Sequence, residues 1–491
     1  MATANPTAQA APRRSAQGSR HLLNLLATGA TQLIDAVVPT AMVLLIVKFY
    51  GLEPLGEYCV AMAFASIAAL LCGTGLATAV CFDVAASPDD PESQNASLMA
   101  GTLAFAAGFA VALPLLAWAA WLVGHGPVMV GLVVSLAVGY GLRALGGMFN
   151  AALRGRHEMQ LAVWPTLLTL LLVVVAVLPM LFMRRPLAHV AVAWSACQVC
   201  LPVWLFFSLR RRGLANSFRG AGRRLGQLAR ASWILTLESV VFRVGLQLAI
   251  VLLPLLLTSR EIGLYNAAAK PFQFLVLAND CVIQFFLPYL AAVPQGSRDE
   301  LEMRLQQFHK LAFFFTATTL VLVAAFSSSI ASLLFGDTGP AVAPFMAVLA
   351  FGYILYYTPP YSSAFKSIGK SRLSVACGVA QTLTILAALP ILAPPFGVWG
   401  VVSASCLAYG VYWMLEVWFY RESRLTPVTG IERYVVFLLF NLACGYLLEA
   451  SVGGITAMAI FLAVAAVASL GLYWTGQERR FAMAITFPKA A

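Results

Sequence analysis

Apolar residues fill long stretches of this chain, and the stretches recur along its whole length. Each is about 20 residues or longer, which is the length an α-helix needs to cross the hydrocarbon core of a bilayer. Short groups of polar, glycine and proline residues separate them. The pattern predicts an all-α integral membrane protein with fourteen transmembrane helices, near residues 22–49, 57–86, 96–123, 128–153, 161–183, 187–209, 231–257, 263–293, 307–335, 341–365, 373–393, 397–420, 433–450 and 454–474.

The composition excludes a soluble globular protein. Of 491 residues, 61% are hydrophobic and 10% are charged, which leaves too little polar surface to cover a soluble fold. The apolar stretch after residue 21 is too long for a signal peptide, so we interpret residues 1–21 as a disordered cytoplasmic tail. The nine cysteines lie mostly in apolar stretches and are interpreted as packing residues, and the five histidines are isolated. We therefore expect no metal and no cofactor.

The basic residues are distributed unevenly between the predicted loops. With the N-terminus placed inside, most of the 31 Lys and Arg residues fall on the cytoplasmic side. Four fall on the opposite side: Lys48, Arg184, Arg185 and Arg260. This imbalance follows the positive-inside rule, and an even number of helices returns the C-terminus to the cytoplasm.

A basic segment at 210–230 divides the chain. Apolar residues recur in it at helical spacing with arginines between them, which predicts an amphipathic helix on an anionic membrane surface: Leu214, Phe218, Ala221, Leu225 and Leu228. Nucleic-acid binding is the alternative for such a patch. The predicted organisation is a tail at 1–21, an N-lobe at 22–209, the linker at 210–230, a C-lobe at 231–420, two further helices at 421–474 and a cytoplasmic tail at 475–491.

Two internal repeats support this division. LEPLGEYCVAMAF at 52–64 is echoed by SREIGLYNAAAKPF at 259–272, and a second echo relates 153–162 to 367–376 at nearly the same offset. Helices 1–6 and 7–12 are therefore expected to form two pseudo-symmetric lobes.

Several short motifs resemble the multidrug/oligosaccharidyl-lipid/polysaccharide exporter (MOP) superfamily, and within it the polysaccharide-biosynthesis flippases of the Wzx type. They are FYGLEPLGEY after the first helix, GTGLATAV at 73–80, LRG at 153–155 and IGLYNAAAKPFQF opening the eighth helix. The resemblance implies a transporter of the bacterial cytoplasmic membrane that moves undecaprenyl-diphosphate-linked glycans from the inner to the outer leaflet. It also implies coupling to an ion gradient, and a polysaccharide polymerase and glycosyltransferases as partners.

Charged residues inside the predicted helices are the candidate site residues, because burying a charge in a membrane is costly. At about 100° per residue, Arg243 shares a polar stripe on helix 7, whereas Glu238 lies outside it. Similar stripes are predicted on helix 8 with Lys270, Gln273 and Asp280, on helix 4 with Tyr140, Arg143, Gly147, Asn150 and Arg154, and on helix 1 with Asp35. These four stripes predict a wet cleft between the lobes.

A diphosphate in that cleft needs cations, and Arg143, Arg243 and Lys270 can provide them. The alternative is that these cations form permanent ion pairs with Asp35, Glu238 and Asp280. The same three acids are the candidates for ion coupling, because an acid inside the membrane can exchange protons during transport.

Tyrosines on helix 10 add a candidate surface for sugar rings. Tyr353, Tyr356 and Tyr357 lie close together in GYILYYTPPYSS, and Tyr353 and Tyr357 complete the predicted substrate-binding set with Gln273. Packing in the protein core is the alternative for these tyrosines.

Two other function classes remain open from the sequence. A multidrug or cation antiporter of the sister family would have an acidic pocket rather than three cations. A polyprenyl-dependent glycosyltransferase or polymerase would need a sizeable outer loop, and the predicted outer loops are short. No Walker A motif is present, because the glycine it requires before IGKS is Ala364. We therefore expect a transporter and not an enzyme.

Overall fold

The computed structural model describes residues 29–31, 34, 37–87, 90–122, 126–156, 158–272, 298–357, 365, 370–423 and 431–468. Within these residues the chain is helical and has no strand, and eight helical stretches are long and apolar enough to cross a bilayer. Large hydrophobic side chains such as Trp118, Trp164 and Leu383 are exposed on these helices, as expected where helices face lipid. The predicted all-α membrane class is confirmed. The count of fourteen helices stays a prediction.

The chain divides into two compact units, Met1–Ile262 and Gly263–Ala491. In the first unit α4 lies at the centre and packs on α2, α3, α6 and α7, while α2 also packs along α8. Glycines on α4 permit this approach, since a Cβ atom at Gly139 would lie 2.5 Å from the Trp194 ring. The helices are α1 Val37–Tyr50, α2 Leu52–Ala86, α3 Pro91–Leu122, α4 Pro127–Gly155, α5 Gln160–Phe182, α6 Leu187–Cys197, α7 Cys200–Arg210 and α8 Ala221–Leu252.

The second unit is built around an antiparallel pair of helices joined by one residue. Gly397 has φ +55° and connects α13 to α14 directly, and these two helices make the most extensive packing in the unit. Helix α12 packs on α14, α10 and α11, and α15 packs on α10 and α16. Helix α9 at residues 259–272 begins in the last residues of the first unit and continues into the second. The other helices are α10 Arg298–Ala325, α11 Ser327–Phe335, α12 Gly339–Tyr357, α13 Ser371–Phe396, α14 Val398–Glu422, α15 Ile431–Ser451 and α16 Gly454–Ala468.

Prolines end or break two of the predicted helices. The helix predicted at 187–209 divides into α6 and α7, because Pro202 lacks an N–H group and its ring would clash with the carbonyl of Gln198. The helix predicted at 231–257 ends as α-helix at Leu252 and continues as a short 3₁₀ turn around Pro254. The break after Cys197 leaves Gln198 buried inside the first unit.

The basic segment differs from the single amphipathic helix that its spacing predicts. The chain is irregular from Leu214 to Gly220, and α8 then continues without interruption into the predicted seventh helix. Three of the five predicted stripe residues are buried in the core of the first unit: Leu214, Ala221 and Leu228. Phe218 is 60% exposed and Leu225 is also exposed, so only part of the stripe is free to contact a membrane surface. The domain boundaries stay predictions.

Candidate transport site

Arg143 lies at the middle of α4 and is half-buried. The later members of the predicted stripe, Gly147, Asn150 and Arg154, are each more exposed than the residues beside them. A Cβ atom at Gly147 would have no other atom within 4 Å, whereas one at Gly146 would lie 2.8 Å from Leu201. These three positions are therefore less tightly packed than the residues that flank them, although the Oδ1 atom of Asn150 is buried.

A small cavity lies beside the Arg143 side chain. Its polar lining is Arg143, Thr166, Thr169 and Gln198, and its apolar lining is Ile34, Val38, Leu170, Val173 and Leu201. The hydroxyl groups of Thr166 and Thr169 donate to the carbonyls of Ala162 and Pro165 at 2.7 and 2.8 Å. Their lone pairs thus remain available to the cavity. Its volume of about 10 Å³ suits about one water molecule, which is far less than a diphosphate group requires.

In the second unit, Lys270 and Tyr353 are buried. Lys270 is 3% exposed on α9, and Tyr353 is 7% exposed on α12. The Tyr353 ring stacks on Phe272 with centroids 4.7 Å apart and lies 4.9 Å from the ring of Tyr409. Because both neighbours cover it, Tyr353 does not present an open ring to a sugar in this conformation.

The remaining predicted site residues lie wholly or partly outside the described residues. The structure places Arg243 and Glu238 on the continuous helix α8 and Tyr357 at the end of α12, but it does not describe their side chains. Asp35, Gln273 and Asp280 lie outside the described residues altogether. Their predicted roles therefore stay predictions.

A polar network at one end of the first unit was not predicted. The Arg224 guanidinium on α8 donates to Ser97 Oγ at 3.1 Å and to Ser93 Oγ at 2.7 Å, both on α3. It also lies 3.5 Å from Asp83 Oδ2 on α2, which accepts a hydrogen bond from Ser97 Oγ at 3.1 Å. This network joins three helices that sequence periodicity alone does not bring together.

Glu416 was also missed. It is 1% exposed on α14, and Tyr412, one turn earlier, donates a hydrogen bond to its carboxylate. The available signal was a lone acid in the apolar run YWMLEVWFY. A lone acid there is costly to bury and marks a functional position in a membrane helix.

A family model described as polysaccharide biosynthesis protein matches residues 22–294, which is more than half of the chain. The chain belongs to the polysaccharide biosynthesis protein family. This match covers the segment from the first predicted helix to the eighth, and therefore includes Arg143, Arg243 and Lys270. No curated protein sequence matches this family member significantly.

Solved structures of a lipid flippase and of MOP superfamily transporters share the fold of this family member. The lipid II flippase MurJ in an inward closed conformation aligns with TM-score 0.70 and 13% identity over 91% of this chain and 97% of that one. An inward-facing multidrug resistance MATE family transporter of the MOP superfamily aligns with TM-score 0.61 and 16% identity over 82% and 95%.

A MOP superfamily transporter from Pyrococcus furiosus has a binding pocket described as having reverse polarity. It aligns with TM-score 0.60 and 15% identity over 82% of this chain and 95% of that one. Together these similarities confirm the fold inferred from the short sequence motifs.

Proposed function

We propose that this protein is a flippase that moves undecaprenyl-diphosphate-linked oligosaccharide from the inner to the outer leaflet of the bacterial cytoplasmic membrane. The observation that carries the proposal is the match to the polysaccharide biosynthesis family together with a fold similar to that of a lipid II flippase. The cargo would be used for cell-surface polysaccharide, and a polymerase and glycosyltransferases would be partners. Both termini would lie in the cytoplasm, as the distribution of basic residues predicts.

Alternating access coupled to an ion gradient is the proposed mechanism. Arg143, Arg243 and Lys270 would bind the diphosphate, because cations in low dielectric make strong charge-assisted hydrogen bonds to phosphate oxygens. Lys270 is buried and the cavity at Arg143 is small. Both cations would therefore reach the diphosphate only in a conformation other than the observed one.

Contacts to the sugars and ion coupling complete the proposal. Gln273, Tyr353 and Tyr357 would contact the oligosaccharide. Asp35, Glu238 and Asp280 are the proposed ion-coupling acids, since a carboxyl group inside the membrane can gain and lose a proton as its surroundings change.

Drug and cation export is the second candidate function, because MATE transporters share the fold. A pocket for a cationic drug should attract positive charge, whereas the charged candidates for substrate binding in this chain are cations. This difference in the sign of the charge favours the lipid-linked anion.

Transport can be measured with the purified full-length protein in proteoliposomes. The probe is a fluorophore-labelled undecaprenyl-diphosphate-linked oligosaccharide, and a membrane-impermeant reductant bleaches only the molecules in the outer leaflet. We expect the protected fraction to become bleachable faster than in protein-free vesicles, and faster still under an imposed ion gradient.

A matched lipid carrying the same oligosaccharide on a single phosphate serves as the control. We expect it to move more slowly, because it offers fewer acceptor oxygens to the cations. A rate equal to that of protein-free vesicles, combined with gradient-driven transport of ethidium, would replace the flippase proposal with the drug exporter.

A further inference from the structure

One face of α14 carries a column of hydroxyl groups that ends in a carboxyl group. Ser405, Tyr409, Tyr412 and Glu416 are spaced by four, three and four residues, so they lie above one another on the helix. All four are buried. Polar side chains inside a membrane helix are costly to bury, so a column of them marks a candidate functional site.

Tyrosines from the neighbouring helices extend the column. The Tyr265 hydroxyl on α9 lies 3.1 Å from Ser405 Oγ, which itself donates to the Val401 carbonyl. The Tyr356 ring on α12 lies 5.0 Å from Tyr409 and 4.8 Å from Tyr412. Side chains with hydroxyl groups from α9 and α12 therefore pack beside the column on α14.

The helix facing Glu416 offers further polar groups. Cys377 on α13 interacts electrostatically with Glu416, and Ser374 and Gln381 lie three residues before and four residues after Cys377, on the same face. Both are buried, and Ser374 Oγ and Gln381 Nε2 have no hydrogen-bond partner among the described residues. Buried polar groups without partners are rare in native proteins and need an explanation.

We propose that Glu416 is a proton-binding site that couples transport to the proton gradient, an inference that rests on the proposed transport function. In one state of the cycle the carboxylate accepts one proton and forms an O–H bond. In another state the carboxyl group releases that proton. Protonation neutralises the group, which removes the cost of a buried charge.

A proton suits a single buried carboxyl group, because Glu416 becomes neutral when it binds one proton. The carboxyl group can accept the hydrogen bond from Tyr412 in either its ionised or its protonated form. Among the described residues, titratable groups on the neighbouring helices include Cys377 on α13, Tyr353 and Tyr356 on α12, and Tyr265 and Lys270 on α9. His309 on α10 is also buried, and its ring lies 5.8 Å from that of Tyr420. Helix α10 further carries Arg304 and Lys310, and α13 carries Arg372.

Proton binding can be measured without any cargo. Infrared difference spectra of the reconstituted full-length protein, recorded while the pH is changed, report the C=O stretch of a protonated carboxyl group. We expect a band that grows as the pH falls, disappears in Glu416→Gln and persists in Glu416→Asp. Glu422→Gln is the matched control, because Glu422 is exposed at the end of the same helix and should leave the band unchanged.

The same variants are then compared in transport of the labelled undecaprenyl-diphosphate-linked oligosaccharide. Glu416→Gln should lose the stimulation by an imposed pH gradient, while Glu422→Gln keeps it. Three results would overturn the proposal: a titrating band that survives in Glu416→Gln, a band abolished by sodium ions at constant pH, or a pH-gradient stimulation that Glu416→Gln retains. Absence of cargo transport in every variant would count against the proposed flippase function, and the infrared band would still decide whether Glu416 binds a proton.

Discussion

Arg224 provides the sharpest test of how the first unit is held together. Its guanidinium joins α8 to α2 and α3 through Asp83, Ser93 and Ser97. Substituting Arg224 by Met removes these contacts and keeps most of the alkyl chain. The packing of the side chain stem is thereby preserved, and the change isolates the polar interactions.

The expected loss can be derived from the geometry. The side chains of Arg224 and Asp83 are 33% and 40% exposed, so their ion pair at 3.5 Å contributes about 0–1 kcal/mol. The two hydrogen bonds to serine hydroxyls, at 3.1 and 2.7 Å, involve a charged donor. Because the residues are partly exposed, each hydrogen bond contributes about 1 kcal/mol to stability, which is less than a charged hydrogen bond contributes in a buried site. We therefore expect Arg224→Met to destabilise the protein by about 2 kcal/mol, and to lower the unfolding midpoint by roughly 4–8 °C if the unit unfolds cooperatively.

Thermal unfolding of the purified protein in detergent measures this effect. Arg223→Met is the matched control, because Arg223 is the exposed neighbour on the same helix and should change the midpoint little. Combining Arg224→Met with Asp83→Asn should give less than the sum of the single effects, since the two residues belong to one network. Equal midpoints for the Arg224 and Arg223 variants would refute the idea that this network secures α8.

Three further predictions concern packing, transport and topology. Gly400→Ala should destabilise the second unit by about 3 kcal/mol, because the new Cβ atom would lie 2.0 Å from the Leu392 carbonyl oxygen. The control is Gly410→Ala on the same helix, where the new Cβ atom meets no other atom within 4 Å. In a thermal melt this control should be neutral or slightly stabilising. Arg243→Gln should still fold but transport the diphosphate-linked probe more slowly in proteoliposomes, and Arg243→Lys should recover part of the rate; a wild-type rate for Arg243→Gln would contradict a substrate-binding role. In a cysteine-free background, an impermeant thiol reagent applied to intact cells should label Asp337→Cys but not Arg219→Cys, and the reverse pattern would overturn the orientation.

Hydropathy located the helices well, because a helix that crosses the lipid core needs about 20 consecutive, mainly apolar residues. The helices predicted at 128–153 and 161–183 are observed at Pro127–Gly155 and Gln160–Phe182. The prediction of 96–123 begins late, since α3 starts at Pro91 with a polar turn, PESQN, that is helical without being apolar. Apolar content thus marks the part of a helix that lies in the bilayer and underestimates its polar ends.

The candidate site was harder to predict, because periodicity shows which side chains share a face but not what lies opposite. Periodicity grouped Tyr353 with other tyrosines of its own helix, yet its ring is covered by Phe272 from α9 and Tyr409 from α14. Asp83 and Arg224 are far apart in sequence, and only the packing of α8 against α2 and α3 brings them together. Such partners require knowledge of the tertiary structure.

The single-residue connection at Gly397 has a consequence for how this protein can change its specificity. In most enzymes, new specificity arises in surface loops that a rigid scaffold tolerates in many forms. Here α13 passes into α14 through one glycine, and α11 reaches α12 through three residues, so neither of these two connections has a loop in which variation could accumulate. Adaptation to a different cargo there must occur on the helix faces themselves, where each substitution also has to preserve packing and insertion into lipid.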